Sequence, residues 1–152
     1  MRINIWKFSF FLYLLFVLNF IVLKFNGNIN DFINTTEMNF KRKSMGDPPI
    51  NLIPFRTIET YINDVSFGIA FKNIVGNIIP FIPMGFLLPM AFPFQRTILK
   101  TMLSCFTIIL SIETIQLVFH LGSFDVDDLI LNLLSCLLGF LLFHSVTKRT
   151  LT

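Results

Sequence analysis

Residues 101–146 read TMLSCFTIILSIETIQLVFHLGSFDVDDLILNLLSCLLGFLLFHSV, and this stretch decides the fold. It contains two apolar runs, 101–121 and 129–146, and each is long enough to cross the hydrocarbon core of a bilayer as a helix. A brief turn around Gly122 and Ser123 joins them, which favours an antiparallel pair. The stretch therefore predicts part of a helical membrane protein.

The composition of the whole chain agrees with this interpretation. Apolar side chains make up 54% of the 152 residues and charged ones only 14%, far from the composition of a soluble domain. Two further apolar runs, 8–23 and 71–92, complete a set of four predicted transmembrane helices. The first run lacks a small-residue cleavage site, because the first alanine of the chain is Ala70, so we expect it to be retained. The fold class is an all-α, polytopic membrane protein.

The organisation of the chain follows from these runs. A stretch rich in Asn, with Lys41-Arg42-Lys43 and a Pro pair, predicts a solvated loop. Near residues 50–65, an apolar run broken by Pro54 indicates a re-entrant or interfacial segment. The predicted parts are an N-terminal transmembrane helix (1–24), an outer loop (25–49), a membrane domain (50–146) and a cytoplasmic tail (147–152).

The basic residues predict the orientation in the membrane. If the N-terminus is cytoplasmic, the short inner segments 1–7, 93–100 and 147–152 carry Lys and Arg but no acid. The remaining basic residues are spread over a much longer outer stretch together with acids. Because positive charge concentrates in short cytoplasmic segments, we expect both termini to be cytoplasmic.

Polar side chains interrupt the apolar runs at one depth. Glu113, Gln116 and His120 have the spacing of one helical face, and Asp125, Asp128 and Asn132 have it again in the next run. At about 1.5 Å per residue, Glu113 lies roughly 13 Å below the turn, Asn132 roughly 10 Å and Gln116 roughly 9 Å. Asn77 lies about 9 Å below the start of its own run. We therefore expect both stripes to face the interior and to form a polar pocket that opens outward, rimmed by Asp125, Asp127 and Asp128.

Simpler roles are open for most of these residues. Asn77, Gln116 and Asn132 could be interhelical hydrogen-bonding groups, Asp125 and Asp128 could cap the last helix, and His120 suits a surface position. Glu113 is different, because a carboxylate about two turns inside the membrane has to be protonated or paired. Its candidate cations are Arg56, Lys72 and a bound ligand.

Several other kinds of site are excluded by pattern. The run Asp125-Val-Asp127-Asp128 lacks the spacing of a calcium loop, and no motif for zinc, a cofactor or a nucleophilic triad is present. Apart from Lys41-Arg42-Lys43, no basic cluster suggests nucleic acid. Cys105 and Cys136 are expected to be unpaired core residues at different depths.

An ordered set of motifs resembles the VanZ-like family of bacterial membrane proteins. The motifs are Asn51-Leu-Ile-Pro-Phe55, Asn73-Ile-Val-Gly-Asn77, Phe81-Ile-Pro-Met-Gly-Phe-Leu-Leu-Pro89, Ser111-Ile-Glu113 with Gln116, and Asp125-Val-Asp-Asp128 with Asn132. The resemblance covers about residues 50–146. It implies a helical membrane domain, found mainly in Gram-positive bacteria, and its named member is associated with resistance to the glycopeptide teicoplanin.

The functional expectation combines the pocket with this resemblance. We expect a non-enzymatic protein of the cell envelope that binds membrane lipid or a lipid-linked cell-wall precursor, without a cofactor, and contributes to glycopeptide resistance. The alternatives are an intramembrane enzyme, with Glu113 as general acid or base and Asp125 or Asp128 as its partner, and a scaffold for other membrane proteins. The predicted ligand-binding residues are Asn51, Pro54, Phe55, Arg56, Asn77, Glu113, Gln116, Asp125, Asp127, Asp128 and Asn132.

Overall fold

The computed structural model describes residues 5–22, 29–46, 50–63 and 67–149. Within these ranges the chain is almost entirely helical, which confirms the all-α prediction. The elements are α1 (Ile5–Phe16, continued by the π-helix Val17–Val22), α2 (Ile29–Ser44), β1 (Ile50–Asn51), α3 (Arg56–Asn63), α4 (Phe67–Ala91), a 3₁₀ turn (Pro93–Gln95), α5 (Ile98–Val118), β2 (Phe124–Asp125) and α6 (Val126–Arg149).

Three of the described helices are long and apolar enough to cross a membrane. The qualifying segments are Ile74–Ala91, Ile98–Val118 and Val126–Lys148, which correspond to three of the four predicted spans. The apolar helix at Ile5–Asn19 is shorter, so the predicted count of four spans is not confirmed. In the described residues, α1 is continued by a π-helix to Val22, and residue 23 of the predicted run lies outside the described residues.

Helices α4 and α6 form the closest pair, and they run in the same direction. A Cβ placed on Gly85 of α4 would lie 1.9 Å from the carbonyl oxygen of Cys136 in α6. A Cβ on Gly139 of α6 would lie 2.0 Å from the carbonyl oxygen of Ile82 in α4. Small residues let helices approach this closely, which is how membrane helices gain packing contacts without a hydrophobic driving force. Both glycines are therefore close-packing positions between α4 and α6.

The prolines of α4 lie where neighbouring helices supply hydrogen-bond donors. Pro80, Pro83 and Pro89 are all inside this helix. The hydroxyl of Tyr13 in α1 donates to the carbonyl of Pro80 at 2.9 Å, and the thiol of Cys136 in α6 donates to the carbonyl of Phe81 at 3.5 Å. Side chains from α1 and α6 therefore bind backbone carbonyls in the proline-containing part of α4.

The two cysteines occupy the core between α5 and α6. Cys105 and Cys136 are both buried and free, as expected. Both belong to one buried cluster, and the expected difference in their depths stays a prediction.

The predicted outer loop contains a helix instead. Within residues 25–49, α2 covers Ile29–Ser44, and its apolar residues Ile29, Ile33 and Phe40 share one helical face. The Asn-rich composition suggested a loop because Asn is a poor helix former, whereas the structure has a helix whose apolar face is largely exposed. Asn39 donates to the carbonyl of His120 at 2.9 Å, and the Phe40 and His120 rings meet edge to face, which docks α2 on the turn after α5.

Candidate functional site

Two motifs that are far apart in the sequence meet at the N-terminal end of α6. Strands β1 and β2 pair in parallel, with Ile50 opposite Phe124 and Asn51 opposite Asp125. The predicted re-entrant or interfacial segment is therefore a short strand followed by α3, held against the start of α6. This pairing brings the Asn51–Phe55 motif onto the acidic motif at residues 125–128.

Asp127 is buried at the centre of this contact. Its side chain is 0% exposed, and its carboxylate accepts hydrogen bonds from the backbone N–H groups of Phe55 at 2.5 Å, Thr57 at 2.8 Å and Ile58 at 3.2 Å. These N–H groups belong to the first turn of α3, which has no intrahelical acceptors for them. Asp127 caps α3 from another element, and this differs from the predicted place on an open rim.

Asp125 begins α6 and binds the same segment. One carboxylate oxygen accepts from the side chain of Asn51 at 3.1 Å and from the backbone of Asp127 at 2.9 Å, while the other accepts from the Thr57 hydroxyl at 2.5 Å. The bond to the second residue of the helix is the bond of an N-cap. The capping alternative considered for Asp125 is therefore confirmed.

Thr57 is a residue of this site that sequence reasoning missed. Its backbone N–H binds Asp127, while its hydroxyl donates to Asp125 and accepts from Asn51. A signal was present, because a Thr directly after the Pro54-containing break suits the start of a helix. Its two acidic partners could not be found from sequence, since they lie about 70 residues away.

Asp128 joins α6 to α4. The side-chain amide of Asn77 donates a hydrogen bond to a carboxylate oxygen of Asp128. The depth count had placed Asn77 level with Gln116 and Asn132, whereas in the structure its amide binds the acidic motif at the start of α6. This pair also fixes the register in which the parallel helices α4 and α6 approach each other.

A second layer of polar residues lies deeper between α5 and α6. Glu113 is 4% exposed, Gln116 3% and Asn132 2%, so the predicted inward direction of both stripes is confirmed. The side-chain oxygen of Asn132 is buried and has no hydrogen-bond partner among the described residues. We refer to Glu113, Gln116 and Asn132 as the inner polar layer.

Other predicted site residues lie outside this layer. Pro54, Phe55 and Arg56 are exposed on the surface of the bundle end, and Phe55 adopts a left-handed backbone with φ of 68°. His120 is half-buried against Phe40. The side chain of Lys72, a candidate cation for Glu113, lies outside the described residues.

The chemistry of the arrangement separates into two levels. In the outer level, Asp125 and Asp127 accept hydrogen bonds from β1 and α3. Because the Asp125 carboxylate is used in these structural bonds, it gives no support to the enzymatic alternative. In the inner level, a carboxyl and two amides lie in a largely apolar bundle. Among the described residues, no group of three His, Cys, Asp or Glu could hold a metal ion.

Comparison with known proteins gives the family. No curated protein and no solved structure matches the chain. The family model VanZ/LLP1 matches residues 10–147, from within α1 to near the end of α6, and includes both levels of the site. The match extends the earlier resemblance, which began near residue 50, into the first helix. The chain therefore belongs to the VanZ/LLP1 family.

Proposed function

We propose that this VanZ/LLP1-family membrane protein binds the polar head group of an amphiphile at its inner polar layer. The ligand is a lipid or a lipid-linked cell-wall precursor, and its capture contributes to resistance against glycopeptides of the teicoplanin type. The observation that carries the proposal is the buried oxygen of Asn132, which has no hydrogen-bond partner among the described residues.

An acceptor of this kind needs a donor. Leaving a buried polar group unsatisfied costs about 1–3 kcal/mol, and native proteins keep few such groups unless they serve a purpose. Glu113 and Gln116 lie on the facing helix and add a carboxyl and a second amide. Hydroxyl, amide and ammonium groups would satisfy this set, and the sugars and peptides of cell-wall precursors carry them in number.

The outer level has a supporting role in the proposal. Because Asp125 and Asp127 hold β1 and α3 over the start of α6, they close this end of the bundle above the inner polar layer. The acids that were expected to select the ligand at the mouth instead position the segment that covers it. Asn77 and Asp128 then keep α4 in register with α6 at the same end.

Asn132→Leu is the sharpest test. If Asn132 served only as an interhelical hydrogen-bonding group, removing its amide would lower the thermal stability of the protein. If it binds a ligand, the change removes an unsatisfied buried group, so thermal stability should stay the same or rise. Binding of a lipid-linked disaccharide-peptide precursor in nanodiscs should weaken about tenfold, the equivalent of about 1.4 kcal/mol for one lost hydrogen bond.

The matched control is Ser111→Ala on α5. Ser111 is exposed, two residues from Glu113, and its hydroxyl bonds back to the carbonyl of Thr107 in its own helix. At equal expression in a Gram-positive host, Asn132→Leu should increase susceptibility to teicoplanin and Ser111→Ala should not. Unchanged precursor binding and unchanged susceptibility in Asn132→Leu would refute the proposal.

A further inference from the structure

A groove lies at the end of the bundle opposite the acidic motif. It has a volume of about 410 Å³, within the usual range of about 300–1,000 Å³ for small-molecule sites. Helices α1, α4 and α5 and the 3₁₀ turn form its walls, and most of the lining is apolar, including Phe10, Leu88, Phe92 and Leu103. Asn77 and the last residue of α4, Ala91, are about 20 Å apart along the helix axis, so the groove is separate from the inner polar layer.

One polar side chain in this groove is held in place with an unused acceptor. The amide nitrogen of Gln95 donates to the Ser104 hydroxyl at 2.8 Å, which fixes the direction of the side chain. The backbone carbonyl of Gln95 accepts from the Thr101 hydroxyl at 2.5 Å, which fixes its main chain. The side-chain oxygen of Gln95 is buried and has no hydrogen-bond partner among the described residues.

Three cations surround the same groove. The ammonium of Lys7 lies 5.8 Å from the centroid of the Phe92 ring, a groove wall. Arg96 follows Gln95 directly, and Lys100 lies one turn before Ser104 on α5. All three are exposed. No acid occurs in residues 5–22 or 92–112, so the described charge around the groove is entirely positive.

We propose that this groove binds an anionic glycerophospholipid of the surrounding membrane. An acyl chain lies along the apolar walls, the phosphate meets Lys7, Arg96 and Lys100, and a head-group hydroxyl donates to the side-chain oxygen of Gln95. Charge complementarity selects the anionic lipid, because a basic residue near a membrane surface contributes attraction for anionic lipid, while the apolar walls alone would accept any lipid tail. The site is independent of the ligand proposed for the inner polar layer.

Trp6 provides a reporter, because it is the single tryptophan of the chain and lies one turn before Phe10 on α1. The protein is placed in phosphatidylcholine nanodiscs that contain an equal fraction of either brominated phosphatidylglycerol or brominated phosphatidylcholine. Bromine in the acyl chains quenches nearby indole fluorescence. We expect phosphatidylglycerol to quench Trp6 at several-fold lower mole fraction than phosphatidylcholine.

The charge arm of the experiment uses two triple variants. Replacing Lys7, Arg96 and Lys100 by Gln should abolish this several-fold preference for phosphatidylglycerol. Replacing Lys41, Arg42 and Lys43 by Gln removes the same charge from α2 and should leave the preference intact. If both triple variants lose the preference for phosphatidylglycerol equally, general attraction between the charged surface and anionic lipid explains that preference, and the proposal is overturned.

The groove arm separates binding in the groove from attraction at its edge. Thr107→Phe fills the groove from α5 and should abolish the preference although all three cations remain. Phosphatidylmethanol has the same charge as phosphatidylglycerol but no head-group hydroxyl. In Gln95→Leu, which lacks the acceptor for that hydroxyl, the brominated forms of the two lipids should quench Trp6 equally. Circular dichroism and size-exclusion profiles identify folded variants. A preference that survives in folded Thr107→Phe overturns the proposal, whatever the outcome at Asn132.

Discussion

The carboxylate of Asp127 takes the place of water as acceptor for three backbone N–H groups at the start of α3. It is fully buried, and a carboxylate can bind several donors at once, which is why a short helix of eight residues can be held without a hydrophobic core of its own. The residue does for α3 what a local N-cap does for most helices. Because it comes from α6, it also ties the two helices together.

Asp127→Ala should therefore release α3. Loss of three charge-assisted bonds leaves backbone donors without partners, and we expect a cost of about 2–4 kcal/mol or local unfolding of residues 50–63. Limited proteolysis in detergent should cut this segment in the variant and leave the wild type intact. Glu59→Ala, which removes an exposed acid from α3, is the control. Equal protease resistance of wild type and Asp127→Ala would contradict the role.

At the same scale, sequence reasoning found most of the residues and only part of their roles. Helical spacing was enough to predict the burial of Glu113, Gln116 and Asn132, because periodicity reports which face is interior. The partners of Asp127 depend on strand pairing between distant segments, and no local pattern encodes that. The acids were therefore recognised as important and assigned to an open rim that the fold does not have.

At the scale of the element, the contact between α4 and α6 depends on two missing side chains. Gly85→Ala and Gly139→Ala would each place a methyl group within about 2 Å of backbone on the other helix, and backbone cannot move aside as a side chain can. We expect either change to lower the apparent Tm in detergent strongly or to prevent folding. Separation of α4 from α6 would also disturb the bond between Asn77 and Asp128.

Gly76→Ala is the matched control for this prediction. It lies on α4 as well, but a Cβ there has nothing within 4 Å, and alanine favours a helix over glycine by about 1 kcal/mol. Its Tm should be unchanged or slightly higher. If Gly85→Ala and Gly76→Ala have the same Tm, the close approach of α4 to α6 is not needed for stability.

Helix α2 shows where element prediction was weakest. Three long helices were found because long apolar runs leave few alternatives. In α2, the composition favoured a loop. The apolar face that includes Phe40, which contacts His120, has only a few residues distributed over three turns, so its periodicity was easy to miss. Tertiary contact decides such cases, and composition alone does not report it.

At the scale of the whole molecule, the open question is whether α1 crosses the membrane. Single cysteines at exposed positions answer it, because the native Cys105 and Cys136 are buried and give little background. With both termini inside, a membrane-impermeant maleimide should label Ser44→Cys in intact cells. Ile5→Cys and Lys148→Cys should react only after permeabilisation, since the basic segments at their ends favour the cytoplasm.

The wild-type chain is the background control for labelling. Reaction of Ile5→Cys in intact cells, with Lys148→Cys still protected, would leave three crossings and place α1 on the outer side of the bundle. Positive charge density predicts the orientation from sequence, and the apolar helix described at Ile5–Asn19 is shorter than the three qualifying spans.

The parallel pairing of β1 with β2 has a consequence for biogenesis. The partner of Asn51 is synthesised 74 residues after it, when α4 and α5 have already been made. Until the final hydrophobic segment emerges, the first turn of α3 has no acceptor and its peptide groups stay hydrated. This end of the bundle can therefore form only after β2 and the start of α6 have been made. A nascent chain arrested before residue 124 lacks both, and we expect membrane quality control to recognise it.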